Sequence, residues 1–277
     1  MKVQNTRTRI FKAILYIVLI ALALVMLVPF VWMLSASLKL DKDVFIFPIQ
    51  WIPVNPRWQN YADIWTRIPL AKFVLNTVKL TVIVTFLQLL TSSFAAYAFA
   101  KLKFKGKDLL FMAYIATIAV PWQVYMVPQF MMMRSMGLAD THLAIICLQA
   151  FSAFGVFMMK QFYEGIPTEL CEAARIDGMS EYRIWYKIML PLSKPALSTL
   201  TIFTFVNTWN DFLGPLIYLT TEAKKTLQLG LRMFISQFGS EYGLIMAASV
   251  LSLIPVLAVF LSLQKYFVEG VAATGVK

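Results

Sequence analysis

The residues most able to do chemistry lie in one long polar stretch and at polar positions inside otherwise apolar segments. The polar stretch runs from Ile166 to Pro195 and reads IPTELCEAARIDGMSEYRIWYKIMLPLSKP. Its defining positions are Glu172, Ala173, Ala174, Gly178, Leu190 and Pro191. None of these residue types at this spacing forms a catalytic or metal-binding set.

The polar stretch predicts two short helices separated by a glycine. Pro167 suits the first turn of a helix, where its missing N–H costs nothing, and Glu169 complements the positive end of the helix dipole. Gly178 fits the left-handed residue that closes such a helix, and Ser180 is a candidate cap for the next one. We expect Pro191 to end the second helix.

Both helices are predicted to be amphipathic. The spacing i, i+3, i+4 and i+7 places on one face of the first helix Leu170, Ala173, Ala174 and Asp177. Because two adjacent alanines make that face flat, the surface of another protein could approach it closely. The second helix carries on one side Ile184, Trp185, Ile188 and Met189. The pattern is typical either of a docking device or of a helical connector packed on its own chain.

The spacing of the defining positions resembles the EAA motif of the membrane-spanning permease subunits of binding-protein-dependent ABC importers. The resemblance implies that residues 164–195 form a cytoplasmic coupling loop seated in a groove on an ATP-hydrolysing subunit. In that role Glu172 makes charge-assisted contacts, the two alanines allow close approach and Gly178 supplies the turn. The residues expected to couple to the ATPase are Glu172, Ala173, Ala174, Asp177, Gly178, Leu190 and Pro191.

The composition places the chain in a membrane. Of its 277 residues, 60% are hydrophobic and 14% are charged, and the mean hydropathy is +0.71. A soluble domain carries about a quarter charged residues. The net charge of +11 does not indicate nucleic acid, because the basic residues do not cluster with aromatic residues on a soluble module. An excess of positive charge on the cytoplasmic side of a membrane explains it more simply.

Six apolar segments predict an all-α membrane protein with six transmembrane helices. The predicted spans are residues 13–34, 73–100, 109–133, 143–159, 196–219 and 243–263. We expect Pro121 and Pro128 to interrupt the third span, and Gly214 and Pro215 to break the fifth. The resemblance implies a type I ABC importer permease fold. Its parts are residues 1–72 (N-terminus, first span and outer loop), 73–264 (transmembrane core with the coupling loop) and 265–277 (tail).

Lysine and arginine set the predicted orientation. With the N-terminus inside, fifteen of the 25 basic residues fall on the inner side and nine on the outer side, and Lys79 lies within a span. This bias and the even number of spans place both termini and the polar stretch in the cytoplasm. The resemblance makes the membrane the inner, or cytoplasmic, membrane of a bacterial cell.

The residues needed for enzymatic chemistry are absent from the sequence. No glycine-rich loop ends in Gly-Lys-Ser/Thr, so we expect ATP and its Mg²⁺ to be bound by a partner ATPase and no cofactor by this chain. The one histidine, His142, is expected to be a polar residue at the membrane interface. Cys147 and Cys171 form no metal-binding spacing. We predict no catalytic residue and no metal site.

Polar residues inside the spans are candidates for a substrate pathway, because such groups are costly in a membrane and tend to line pathways or pair with one another. These candidates are Asn76, Lys79, Gln123, Asn207, Trp209, Asn210 and Asp211. An aromatic residue beside amides and an acid suits sugar hydroxyls. For the asparagines, hydrogen bonding between helices is an equal alternative. Lys79 is more easily explained as a side chain that snorkels to the outer interface.

Three further patterns resemble the carbohydrate-uptake branch of these importers, of which the second permease of the maltose-type importer is an example. They are Asn76-Thr77 at the start of the second span, WNDFL followed by Pro-Leu in the fifth, and QKYFVEG near the C-terminus. The resemblance implies a second, similar permease chain, two ATP-binding subunits, an extracellular or periplasmic solute-binding protein and a sugar substrate. Membrane lipid surrounds such a complex, and no nucleic acid takes part.

Two other classes of function remain open on the sequence. An ion-coupled secondary transporter could use Asp211 and Lys79 as a relay, and it would transport as a single chain. A membrane receptor or scaffold would not need a broken, polar fifth span. Identification of co-purifying ATPase and permease chains would separate both from an ABC importer.

Overall fold

The computed structural model describes residues 6–236 and 239–275. Its α-helices are α1 Thr6–Ala36, α2 Asp41–Val44, α3 Asn60–Arg67, α4 Leu70–Lys101, α5 Lys107–Ala116, α6 Trp122–Ser135, α7 His142–Gln149, α8 Ala153–Glu164, α9 Glu169–Ile176, α10 Glu181–Ile184, α11 Leu190–Leu192, α12 Lys194–Trp209, α13 Leu213–Tyr218, α14 Leu227–Arg232 and α15 Tyr242–Gly275. Two 3₁₀ turns and one π-helical segment are Thr117–Ala119, Glu222–Lys224 and Trp185–Met189. Two short antiparallel strands, β1 Ile235–Ser236 and β2 Gly239–Ser240, pair with each other.

The described helices support the prediction of six spans. Long enough and apolar enough to cross a membrane are Arg9–Ala36, Leu70–Lys101, His142–Glu164 and Tyr242–Tyr266. Two bent helix pairs also qualify by length and composition: Lys107–Ala119 with Trp122–Ser135, bent by 101°, and Glu181–Leu192 with Lys194–Trp209, bent by 81°. The first pair corresponds to the predicted third span. In the second pair Glu181–Leu192 belongs to the polar stretch, so the predicted fifth span corresponds to α12 and α13. Residues 1–5 of the predicted N-terminal part and the last two residues of the predicted tail lie outside the described residues.

The helix breaks do not all fall where the prolines and glycines predict. Pro121 lies at the bend between α5 and α6, as predicted, whereas Pro128 lies inside α6. The prediction for Pro128 is therefore wrong, because a membrane helix can tolerate the loss of one backbone hydrogen bond. The prediction for the fifth span is also wrong in position. That helix ends at Trp209 and resumes at Leu213, so Gly214 and Pro215 lie in the first turn of α13.

Contacts divide the chain into two compact units, and the first comprises the chain up to Ile68 together with Leu231–Leu253. Within it, the buried Asn60 donates hydrogen bonds of 2.9 Å from Nδ2 to the carbonyl oxygens of Ser37 and Lys39. Gly243 N–H donates to Asp41 Oδ1 across 2.8 Å. These bonds satisfy backbone groups at the end of α1 and the start of α15, which would otherwise be costly to bury.

The second unit, Pro69–Gly230 with Ile254–Lys277, is built around α4, which packs against α8 and α12. A Cβ atom at Gly155 of α8 would lie 2.4 Å from Ser92 Oγ of α4. The two helices therefore approach closely because a small residue faces a glycine, as is common between membrane helices. One apolar cluster of this unit lies around Tyr97 and Met159, and another around Leu80 and Tyr218.

Candidate functional site

A cavity of about 680 Å³, lined by polar groups among apolar and aromatic ones, lies within the second unit. It forms where two helices are interrupted, between α7 and α8 and between α12 and α13. The residues that line it are Gln88, Trp122, Tyr125, Gln129, Leu148, Gln149, Phe151, Ser152, Phe154, Phe203, Thr204, Asn207, Thr208, Asp211 and Gly214. This volume is within the range of small-molecule sites, roughly 300–1,000 Å³.

A chain of hydrogen bonds crosses the wall of this cavity. Thr204 Oγ1 donates to Gln88 Oε1 across 2.5 Å. Gln88 Nε2 then donates to the carbonyl oxygen of Gln149 across 2.9 Å, and Gln149 Nε2 donates to Asp211 Oδ2 across 2.7 Å. The chain joins α12, α4, α7 and the turn before α13. Because the carbonyl of Gln149 lies at a helix end, a side chain replaces the partner that the interrupted helix cannot supply.

The position of Asp211 depends on a glycine three residues later. Gly214 N–H donates to Asp211 Oδ1 across 3.1 Å. A Cβ atom at Gly214 would lie 2.5 Å from Asp211 Oδ2, which is too close for any other residue. Both carboxylate oxygens therefore accept a hydrogen bond, and the missing side chain at position 214 makes the space for them.

Gln129 anchors another side of the cavity. Its Oε1 accepts hydrogen bonds from Trp122 Nε1 at 2.8 Å and from Tyr218 OH at 3.1 Å. The two donors satisfy the amide oxygen and fix the Trp122 ring at the cavity wall. An aromatic face is thus held beside amide and hydroxyl groups.

The chemistry of the cavity suits a neutral solute with many hydroxyl groups. Amides and hydroxyls donate and accept hydrogen bonds, and the rings of Trp122 and Tyr125 offer flat apolar faces. Among the residues that the structure describes, Asp211 is the one charged side chain in the lining. This wall therefore offers an anionic solute no cation to pair with.

The structure brings only two of the predicted pathway residues, Asn207 and Asp211, into this cavity. Asn76 Nδ2 instead donates to the carbonyl oxygens of Ala223 and Lys225. Trp209 is 2% exposed and stacks on a neighbouring ring, and Asn210 Nδ2 donates to the carbonyl oxygen of Val206. Lys79 and Gln123 are exposed and do not line the cavity.

Sequence reasoning left several lining residues out of the predicted pathway. They are Gln88, Gln129, Gln149, Ser152 and Thr204. Gln88 and Gln129 do stand out as amides within apolar segments, which is a usable signal. Gln149 and Thr204 give no comparable signal, because their positions next to Asp211 and Gln88 depend on how distant helices pack.

The polar loop adopts the predicted arrangement of two short helices around a glycine. The first helix, α9, starts at Glu169, two residues after Pro167 rather than around it. Gly178 has the predicted left-handed conformation, with φ +76°, and no atom lies within 4 Å of a Cβ built on it. Glycine is therefore required there by the backbone and not by crowding.

The predicted single face of α9 is wrong. Ala174 is buried together with Cys171, and both belong to the same apolar cluster as Ile184 and Met189. Exposed on the other side are Leu170, Glu172, Ala173, Ile176 and Asp177. The side chain of Ile176 is 87% exposed. Tertiary packing buries the side of α9 that carries Cys171 and Ala174. The opposite side therefore exposes one alanine and two large apolar residues.

The second helix of the loop is longer than predicted. Pro191 does not end it, because α10 continues through the π-helical segment Trp185–Met189 into α11. The wider π turn accommodates a proline, whose ring would clash with the carbonyl four residues earlier in a regular helix. Ser180 occupies the N-cap position of α10, but its side chain makes no capping hydrogen bond. The predicted inner face is confirmed by the burial of Ile184 and Met189.

An ion pair ties the two helices of the loop together. Arg175 donates to both carboxylate oxygens of Glu181, from Nε at 2.7 Å and from a terminal nitrogen at 3.2 Å. This two-pronged contact with Arg175 holds the pKa of the Glu181 carboxyl below its usual range. Glu181 therefore stays ionised at neutral pH, and the pair fixes α9 against α10 across the Gly178 turn.

On the other side of the bundle, Asp140 holds the segment after α13. Its Oδ1 accepts from the backbone N–H groups of Thr220 at 2.9 Å and Thr221 at 3.0 Å, and Lys224 Nζ donates to Oδ2 at 2.8 Å. The Lys224 ammonium is the main cause of a pKa for Asp140 well below its usual range. His142 Nε2 lies 2.8 Å from the carbonyl oxygen of Lys224. His142 is the first residue of α7, and its place at the membrane interface stays a prediction.

Comparison with known proteins agrees with these features. A family model described as "Binding-protein-dependent transport system inner membrane component" matches residues 88–272. The arabinooligosaccharides transport system permease protein AraQ of Bacillus subtilis (strain 168) is 32% identical over 272 residues, covering 97% of this chain and 96% of that protein. The lactose transport system permease protein LacG of Rhizobium radiobacter is 31% identical over 264 residues, covering 95% of this chain and 96% of that protein.

A solved structure is similar over nearly the whole chain. It is a crystal structure of a bacterial ABC transporter involved in the import of the acidic polysaccharide alginate. One of its chains matches with a TM-score of 0.83 and 27% sequence identity, covering 96% of this chain and 100% of that chain.

Proposed function

This chain belongs to the family of binding-protein-dependent transport system inner membrane components, and we propose that it is the permease subunit of an ATP-driven importer for a carbohydrate. In this role it forms one half of the translocation pathway, and a second, similar permease forms the other half. AraQ and LacG carry arabinooligosaccharides and lactose in their names, which supports a sugar as the substrate.

The observation that carries the proposal is the polar cavity bounded by the two interrupted helices. Gln88, Gln149 and Asp211 present amide and carboxylate groups, and aromatic rings such as Trp122 lie beside them. Sugars are recognised by this combination, because their hydroxyls need paired donors and acceptors while their C–H faces pack on aromatic rings. The single negative charge favours uncharged over acidic sugars on this side of the pathway.

The exposed side of α9 is the proposed contact with an ATPase subunit. Leu170, Ala173 and Ile176 form an apolar surface there, and Glu172 and Asp177 lie beside it. An exposed apolar surface of this kind is typical of a docking site. In this proposal two ATP-binding subunits hold the nucleotide and its Mg²⁺, and their closure displaces α9 towards the membrane.

The transport cycle follows from two arrangements of the spans. Closure of the ATPases favours an arrangement in which the cavity opens outward and receives sugar from an extracellular or periplasmic binding protein. ATP hydrolysis then releases α9 and lets the cavity open inward. Because a ligand shifts an equilibrium only through different affinities for the two states, ATP must bind the closed ATPase pair more tightly.

The orientation in this proposal places α9 and both termini in the cytoplasm. The surplus of basic residues on that side supports it. The Asp140 cluster then lies on the outer side.

The proposed function is tested by purifying the complex through a tag on this chain from native membranes in mild detergent. We expect a Walker-motif ATPase and a second permease to co-purify with it. The matched control is the tagged Ile176→Glu variant, which places a charge on the exposed side of α9. This variant should retain the second permease and lose the ATPase. Purification of the unaltered chain without either partner would overturn the proposal.

A further inference from the structure

One helix, α4, contacts both the polar loop and the cavity. Towards its C-terminus, the ring of Phe94 stacks on Tyr182 with centroids 5.7 Å apart and meets Trp185 edge-on at 5.3 Å. Lys101 Nζ donates a hydrogen bond of 2.6 Å to the carbonyl oxygen of Ile166. These contacts are spaced along one face of α4 and hold the loop at its start and in its second helix.

Between them a buried tyrosine donates a hydrogen bond to a partly exposed ion pair. Tyr97, which is 2% exposed, donates from its hydroxyl group to Glu181 Oε2. The same carboxylate accepts hydrogen bonds from two guanidinium nitrogens of Arg175. Glu181 on α10 is therefore the point at which α9, α10 and α4 meet. Hydrogen bonds to ionised groups are about twice as strong as neutral ones, so this junction resists sliding.

The middle of α4 holds the break between α7 and α8 at the cavity wall. Gln88 Nε2 donates to the carbonyl oxygen of Gln149 at 2.9 Å, and Thr91 Oγ1 donates to the carbonyl oxygen of Ala150 at 2.7 Å. Gln88 and Tyr97 are nine residues apart in the same helix, which corresponds to about 13.5 Å along its axis. A continuous helix over that length moves nearly as a rigid rod.

We propose that Glu181 is a positioning residue that passes the displacement of α9 to α4 and through it to the cavity wall at Gln149. The inference rests on the proposed function, since it assumes that an ATPase moves α9. Without the link, the eight-residue α9 could tilt about the Gly178 turn while α4 stayed in place. With the link, α9, α10 and α4 move together and carry the Gln149 carbonyl with them.

The test uses the whole complex in proteoliposomes with its binding protein, and it measures sugar taken up per ATP hydrolysed. Tyr97→Phe removes one hydroxyl group from a buried ring and touches no surface that an ATPase could contact. The matched control is Tyr186→Phe, which removes a hydroxyl from an exposed residue of the same loop. We expect the ratio to fall about tenfold in Y97F, or about 1.4 kcal/mol of coupling, and to stay within about twofold of wild type in Y186F.

The ratio separates this role from simple structural support. A residue that only stabilises the fold would lower the yield of complex and leave the uptake per ATP of the assembled complex unchanged. If Y97F does not assemble, Glu181→Gln decides, because it keeps the side-chain volume and removes the charge, and we expect the same fall. A wild-type ratio in the assembled variant would overturn the inference.

A double variant tests whether the two residues act through one bond. We expect the double variant Y97F/E181Q to take up as much sugar per ATP as the more impaired of the two single variants. Independent, multiplying losses would contradict the link.

The inference and the proposed function fail differently: absence of ATP-dependent uptake by the wild-type complex rejects the function, whereas normal coupling in Y97F with an active wild type rejects only the inference.

Discussion

Gln149 Nε2 lies 2.7 Å from Asp211 Oδ2, so the ends of two interrupted helices are joined by a charge-assisted hydrogen bond. The two residues are far apart in the sequence: Gln149 is the last residue of α7, and Asp211 comes two residues after the end of α12. The bond satisfies a carboxylate that would be costly to leave unpaired at this depth. It also fixes the charge at the wall of the cavity.

Asp211→Asn should impair sugar uptake although it preserves the size of the side chain. Both carboxylate oxygens accept hydrogen bonds, from Gln149 and from Gly214 N–H, so the amide nitrogen of an asparagine would face a donor. An unsatisfied group of this kind costs about 1–3 kcal/mol, which corresponds to about 5- to 150-fold in affinity. We expect the half-saturating sugar concentration in ATP-driven uptake to rise accordingly.

A matched control for this prediction is Asn210→Ala, at the neighbouring position outside the cavity lining. This variant should leave the half-saturating sugar concentration within about twofold of wild type, because substitutions of exposed residues away from the site have small effects. Equal kinetics for Asp211→Asn and the wild type would show that this carboxylate does not shape the pathway.

Gly214→Ala should reproduce the effect of losing the Asp211 geometry. The added Cβ would lie 2.5 Å from Asp211 Oδ2 and 3.3 Å from its Cγ, so the carboxylate must move away from Gln149. Crowding of this kind costs about 1–3 kcal/mol. The control is Gly165→Ala, whose Cβ would meet the nearest atom at 3.4 Å. The melting temperature and the rate of sugar uptake should fall for Gly214→Ala and not for Gly165→Ala. If both variants behave alike, crowding at position 214 is not the cause.

The sequence predicts the spans and the loop well, because hydropathy and glycine conformation are local properties. Gly178 illustrates this, since its left-handed backbone follows from its place between two amphipathic segments. Which side of α9 faces inward is not decided by local sequence. Cys171 and Ala174 face inward because the apolar cluster that includes Ile184 and Met189 lies on that side, and the periodicity of α9 allows either choice.

The cavity is also beyond sequence reasoning, for a different reason. Thr204 bonds to Gln88, and Gln149 bonds to Asp211, across long separations in the chain. Which polar residues converge is decided by helix packing, such as the close approach of Gly155 to Ser92. Other residues that the sequence predicts for the pathway, such as Asn76, instead donate hydrogen bonds to backbone carbonyls outside the cavity.

Gly178→Val should weaken the polar loop more than Gly178→Asn. The φ of +76° is unfavourable for a residue with a side chain, by about 1–2 kcal/mol, and asparagine tolerates it best. Because nothing lies within 4 Å of the added Cβ, crowding at Cβ does not contribute and backbone strain should set the order. Coupled ATP hydrolysis and melting temperature should rank wild type above Asn and Asn above Val. A reversed order would exclude strain as the cause.

Asp140 should make the outer cluster sensitive to acid. Its pKa in the folded protein is below the ordinary 3.8, chiefly because Lys224 donates a hydrogen bond to it. The resulting stability is present above the ordinary pKa and is lost as the pH falls towards the folded-state value. We expect Asp140→Asn, which tolerates the left-handed backbone at φ 56°, to melt below wild type at neutral pH and to approach it as the pH falls through 4.

The control for the acid experiment is Asp43→Asn, which removes the same charge from the short helix α2. Among the described residues no salt bridge to Asp43 is found. Its melting temperature should follow that of the wild type at every pH. A constant gap between Asp140→Asn and wild type from pH 7 to pH 3 would show that the Asp140 charge does not stabilise the fold.

Import is tested by uptake of a labelled neutral oligosaccharide into proteoliposomes that contain the purified complex. We expect uptake that requires ATP on the side of α9 and the binding protein on the opposite side, and that stops when Ile176→Glu separates the ATPase. Equal uptake by this chain alone, without ATP and driven by an ion gradient, would contradict this expectation and identify a secondary transporter.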